Sequence, residues 1–73
     1  MPTNYTAILQ HRGPFWIGWI EEIPGVNSQG DTREELLDNL RSALREALEL
    51  NRAEAVAALG GEPYEEVKVI IAA

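Results

Sequence analysis

The residues of this 73-residue chain that could do chemistry are one histidine, twelve carboxylates and a Gly-Asp-Thr segment. His11 stands beside Arg12, and a general base there needs a positioned substrate and an orienting partner. Gly30-Asp31-Thr32 runs into a helix-like segment, a place where a catalytic or phosphate-binding loop could sit. A phosphate cradle needs a series of glycines, however, and Ser28-Gln29-Gly30-Asp31-Thr32 offers one. Ser28, Thr32 and Thr3 have no credible triad partners. With no cysteine, a thiol nucleophile, a disulfide scaffold and thiolate zinc sites are excluded. The expectation is no catalytic residue, no metal ligand and no cofactor.

Whatever these residues do, a small framework must position them. A chain of 73 residues is one domain, since a shorter unit would bury too little surface to fold alone. Its 45% hydrophobic content is that of a globular protein. A core of this size supplies only about 3–5 kcal/mol, so a partner surface is expected. The net charge of −6 repels phosphate backbones and favours a basic protein partner, although acidity also serves solubility. The start, Met1-Pro2-Thr3-Asn4-Tyr5, has no basic region followed by an apolar run, and no stretch approaches the roughly 20 apolar residues of a membrane span. A soluble, cytoplasmic protein is the expectation.

Residues 5–10 alternate as a strand, with Tyr5, Ala7 and Leu9 on one face and Thr6, Ile8 and Gln10 on the other. His11 to Pro14 reads as a turn. Residues 15–20, Phe-Trp-Ile-Gly-Trp-Ile, form a second strand antiparallel to the first. Both of its faces are apolar, and one helix can cover only one of them, so the other faces a partner, a second copy, or solvent at some risk of aggregation. Pro24-Gly25 turns the chain, and residues 26–29 make a polar edge strand.

Thr32 and Glu35 match a capping box, with Glu34 and Glu35 placed well on the helix dipole. Apolar positions 36, 37, 40, 44, 47 and 48 make one stripe, while Asp38, Arg41, Arg45 and Glu49 point elsewhere, the last two spaced to pair weakly. Asn51 interrupts the stripe. Either the helix ends there, with a second helix over residues 51–59 stopped by Gly60-Gly61, or it runs past the sheet. Residues 67–71, Val-Lys-Val-Ile-Ile, read as a last strand. The predicted class is α+β, β-β-β-α-β, with a mixed four-stranded sheet of order 3-2-1-4 covered on one face by the helix.

That topology is similar to the first half of an RNase H-like domain, so a two-metal nuclease must be tested. Such chemistry needs carboxylates converging within about 4 Å of two ions. Strand one offers Thr6, Ile8 and Gln10 and strand four Lys68 and Ile70, while the acids lie at turns and on the helix. Trp16 and Trp19 fall on opposite faces of one strand: one is expected in the core, the other at an interface. Glu34, Asp38, Glu46 and Glu49 form an acidic helix face, either solvated surface or a dock for a basic partner.

The segment from Trp16 to Leu50, with its aromatic strand, Pro-Gly turn and Gly-Asp-Thr-x-Glu-Glu helix start, resembles the HicB-like antitoxin family. The resemblance runs from Tyr5 to Ile71 and is most specific at residues 23–40. It implies a single domain over 1–73 with a partial RNase H-like fold and no nuclease acids, which neutralises a small basic HicA-type ribonuclease toxin. Family members often carry a carboxy-terminal DNA-binding segment, whereas this chain ends at Ala73, so no nucleic acid is expected to bind this chain alone. The expected function is a non-catalytic antitoxin that forms a homodimer or higher homo-oligomer, with Trp16, Trp19, Glu34 and Asp38 as candidate partner-binding residues and Thr32 and Glu35 as the helix cap. The alternatives are a degenerate hydrolase using His11 and nearby carboxylates such as Asp31, and a small-ligand binder between sheet and helix.

Overall fold

In a computed structural model that describes residues 4–69, the chain begins with a hairpin of strands β1 (Ala7–Arg12) and β2 (Phe15–Ile20). Its turn is tighter than the four residues predicted. Gly13 takes φ +57° and Pro14 follows, a pair that suits the II′ turn, so two residues suffice. His11 and Arg12 therefore stay in the ladder, opposite Trp16 and Phe15.

Strand β3 (Asn27–Gly30) returns antiparallel to β2. The connection holds a type II turn, in which Pro24 sets the backbone, Gly25 supplies φ +89°, and the Val26 N–H donates to the Ile23 carbonyl at 3.4 Å. Two further bonds tie that turn to the start of β1: the Glu21 N–H donates to the Thr6 carbonyl at 2.9 Å, and the Thr6 N–H donates to Glu22 Oε1 at 2.8 Å.

Helix α1 (Arg33–Ala57) starts where the capping signal places it. Thr32 is extended (φ −126°, ψ 163°), and its Oγ1 accepts from the Glu35 N–H at 3.1 Å. The reciprocal bond from the Thr32 N–H to the Glu35 carboxylate is not formed among the described residues, so half of the predicted box is present. Leu36 and Leu40 are 0% and 1% exposed and make the core with Ile20 and Val26. Tyr5, Ala7, Leu9, Trp16, Ile23, Ala43, Leu44 and Ala47 pack around them.

Two glycines make this packing possible. A Cβ on Gly18 would lie 2.7 Å from the Ile8 carbonyl oxygen, and one on Gly30 would lie 2.7 Å from the Leu36 nitrogen. Gly30 is therefore where the first helical turn rests on β3. The Asn39 side chain adds a bond of 2.8 Å to the Gln29 carbonyl.

The predicted four-stranded mixed sheet of order 3-2-1-4 is not what forms. Among the described residues the sheet has three antiparallel strands in the order β1-β2-β3, with one helix. Helix length explains the difference. Asn51 costs only a few tenths of a kcal/mol in a helix, and no Gly or Pro follows before Gly60, so α1 runs through residues 51–57 without a break. It passes Ala47, the last residue packed on the core, by ten residues or about 15 Å.

The helix stops at Gly60 and Gly61, with φ +61° and +88°. At about 3.3 Å per residue, residues 62–66 do little more than retrace that overhang. Glu66 pairs with Arg52 at 3.0 Å, holding the segment beside the helix. Residues 67–69 form no strand, with Val67 and Val69 70% and 79% exposed. The rest of the predicted strand, 70–71, lies outside the described residues. The parallel return strand on which the likeness to a partial RNase H-like fold rested is thus missing from the described fold.

Candidate protein-binding surfaces

Strand pairing sorts the side chains onto two faces, because residues opposite one another in an antiparallel ladder share a side. The helix side carries Ala7, Leu9 and His11 from β1, Trp16, Gly18 and Ile20 from β2, and Ser28 and Gly30 from β3. The other side carries Ile8, Gln10, Arg12, Phe15, Ile17, Trp19, Asn27 and Gln29, and no described element covers it. Phe15 and Trp19 remain 38% and 40% exposed there, with Ile8 and Ile17 half-buried between them. Along the β3 border, Ile17, Trp19, Asn27 and Gln29 surround a shallow depression of about 410 Å³.

The two tryptophans separate as strand alternation requires. Trp16 is half-buried against the core, and its ring stacks on His11 with centroids 4.7 Å apart and planes 10° from parallel. Trp19 belongs to the open face. The contributions of β1 and β3 to that face, Ile8, Gln10, Arg12, Asn27 and Gln29, were not among the predicted site residues. Strand alternation combined with the two-residue turn register carries the signal for the first three.

The second surface is the exposed side of α1. Glu34 and Asp38 are exposed, as are Glu46 and Glu49. The helix is less acidic than those four suggest, since Arg33, Arg41, Arg45 and Arg52 lie on it too. Arg41 pairs with Asp38 at 2.8 Å, and the predicted Arg45–Glu49 pair is absent from the ion pairs of the described residues. The largest group of carboxylates is at the amino end, where Asp31, Glu34, Glu35 and Asp38 fall within eight residues. A second group, Glu62, Glu65 and Glu66, lies in the segment beyond the helix.

His11 and Asp31 come to the same end of the sheet, because His11 opposes Trp16 and Trp16 opposes Gly30. Two strand spacings, about 10 Å, separate β1 from β3 there, and Trp16 lies between. No hydrogen bond orients the His11 ring among the described residues, so the pair makes no dyad. Thr32 is committed to the helix cap, Ser28 is half-buried on the helix side, and Thr3 lies outside the described residues. No group of three His, Asp or Glu side chains gathers for a metal ion among the described residues.

Two displaced acidities stand out among the described residues. The Thr6 N–H holds the Glu22 carboxyl below the ordinary carboxylate range, and the Glu66 carboxylate raises the Arg52 guanidinium. Between sheet and helix, at the β1 border, Tyr5, Ala7, Leu37, Arg41 and Leu44 line a groove of about 260 Å³, below the usual size of a ligand pocket.

No described helix is long and apolar enough to cross a membrane. Comparison with protein-family models, curated proteins and solved structures gives no match to this chain.

Proposed function

We propose that this chain is a non-catalytic, antitoxin-like binding module of the cytoplasm that captures a small basic protein, of the kind a HicA-type ribonuclease toxin represents, and that it works as a homo-oligomer. One observation carries the reading: the exposed carboxylates of Asp31, Glu34, Glu35 and Asp38 gather at the start of α1, with Arg33 and Arg41 alone among them and Arg41 already held by Asp38. The resemblance of residues 23–40 to the HicB-like segment supports the same conclusion. A basic ribonuclease surface docked there would be masked from its RNA. Complementary charge would speed the encounter and make it sensitive to salt.

The test is a calorimetric titration with a basic protein of about 60–80 residues encoded beside this chain, the scale of a small domain. Binding is expected at low salt. It should weaken as the Debye length falls from about 10 Å at 0.1 M to about 3 Å at 1 M. Glu34→Lys with Asp38→Lys should weaken it further, and an equimolar amount of the native chain should silence the partner's RNA cleavage. Absence of binding at low salt refutes the reading for that partner.

A further inference from the structure

We propose that the uncovered face of the three-stranded sheet is a self-association surface, on which two copies pack back to back with Phe15, Ile17 and Trp19 at the centre. The chain exposes 5929 Å², whereas a compact 8.1 kDa protein exposes about 4,500 Å². Its radius of gyration is 15.5 Å, against about 11 Å for a compact domain of this length. The excess, about 1,400 Å² per chain, exceeds the roughly 800 Å² that each partner buries in a standard interface. Part of it lies on the helix overhang and residues 62–69, and part on the open face. A tryptophan at 40% exposure and a phenylalanine at 38% leave about 80–100 Å² each. The whole face then offers on the order of 500 Å² per copy, so a pair buries about 1,000 Å², the size of a weak, reversible interface.

Charge selects the occupant. None of the residues that β1, β2 and β3 place on this face is acidic, although the chain has a net charge of −6. Two copies can therefore meet here without bringing their carboxylates together. A basic partner would find Arg12 and no carboxylate within the three strands. The charges at the ends of the face also match themselves. Arg12 closes one end, and Glu21, next in the alternation after Trp19 and bonded to Thr6, closes the other. A two-fold axis lying across the strands brings each Arg12 toward the Glu21 of the second copy, the self-complementarity that a closed dimer requires. Aligned sheets about 10 Å apart would interdigitate the aromatic rings. Glu34, Glu35 and Asp38, on the helix layer, stay outward.

This inference deepens the homo-oligomer part of the proposed function and does not depend on a toxin partner. The test is sedimentation of the full chain over a wide concentration range. The native chain is expected to be a dimer that dissociates near micromolar concentration, as an interface of modest area implies. Trp19→Lys and, separately, Phe15→Lys should give a monomer with an unchanged far-ultraviolet spectrum, since both side chains are exposed. Glu34→Gln should leave the dimer intact. In Trp16→Phe, the remaining Trp19 emission should shift to shorter wavelength as the dimer forms. A native chain that stays monomeric throughout overturns the proposal, as do folded Trp19→Lys and Phe15→Lys chains that still dimerise. So does a dimer that Val67→Asp dissolves and Trp19→Lys does not, which places the contact on the carboxy-terminal segment. A monomeric native chain that still binds the toxin would sink this inference and leave the toxin reading standing.

Discussion

Adding one carbon at Gly30 should loosen the helix from the sheet. A Cβ there would sit 2.7 Å from the Leu36 nitrogen and 3.1 Å from both the Glu35 carbonyl carbon and the Leu36 Cα. Carbon contacts are comfortable at about 3.5–4.0 Å, so the first turn of α1 would have to withdraw by roughly 0.5–1 Å. The obstructing atoms are helix backbone and cannot rotate aside. Leu36 and Leu40 hold that turn against the sheet, and the Asn39 side chain binds it to Gln29. Overpacking of this kind costs about 1–3 kcal/mol, and the lower entropy of an unfolded alanine returns about 0.4–1 kcal/mol. The net loss for Gly30→Ala is therefore about 1–2 kcal/mol, roughly a fifth to two thirds of the roughly 3–5 kcal/mol that a core of this size supplies. Urea denaturation followed at 222 nm, at one fixed protein concentration, should show the midpoint falling by about 1–2 M at a slope near 1 kcal/mol/M. Ser42→Ala is the control: Ser42 is exposed on α1, so the change should leave stability within about 0.5 kcal/mol. A Gly30→Ala chain within about 0.5 kcal/mol of the native one would refute the claim that the helix rests on this strand.

Three further outcomes are expected. Thr32→Ala should cost about 1 kcal/mol in the same denaturation experiment by removing the acceptor for the Glu35 N–H, and an unchanged midpoint would show that water replaces the cap. The depressed Glu22 carboxyl adds stability that is present above its unfolded pKa and lost as pH falls through the lower folded value; Glu22→Gln should flatten the acid side of the stability profile, and a carboxyl titrating in the ordinary range by NMR would contradict the Thr6 bond. RNA and single-stranded DNA should survive incubation with the purified chain and Mg²⁺ or Mn²⁺, while turnover abolished by His11→Ala or Asp31→Asn would establish the hydrolase alternative instead.

Local rules made much of this fold legible. The β2 strand follows from its aromatic and β-branched residues, the turn before β3 from Pro24-Gly25, and the helix start from Thr32 with Glu35 three residues on. Those signals act within a few residues of themselves. The failures are long-range. Asn51-Arg52-Ala53-Glu54 has the letters of a second cap, yet a helix already nucleated propagates through them, because no glycine or proline interrupts it. The residues around Asn51 leave the helix end open between two readings, and the destination of residues 67–71, hence the topology, depends on which one holds. The open face was half legible: Phe15, Ile17 and Trp19 share a side by alternation alone. The residues that β1 adds beside them required the length of the hairpin turn, which Gly13 fixes.

The helix overhang makes the two ends of α1 physically different. From Arg33 to Ala47 its inner stripe is fixed by Leu36, Leu40, Ala43 and Leu44 against the sheet, and its start is capped by Thr32. From Leu48 to Ala57 no sheet lies beneath it, Leu50 is exposed, and the last turn has no basic residue to complement the dipole. An isolated helix of ten residues would be marginal in water, but this one extends an anchored helix and needs only propagation. Its stability then rests on local propensity and on the returning segment, which the Arg52–Glu66 pair holds alongside. Both partners of that pair are more than half exposed, so it contributes little by itself. The sheet, β3 and the first half of the helix therefore form the rigid unit on which both proposed surfaces depend, and the distal half of α1 is free to yield without disturbing either.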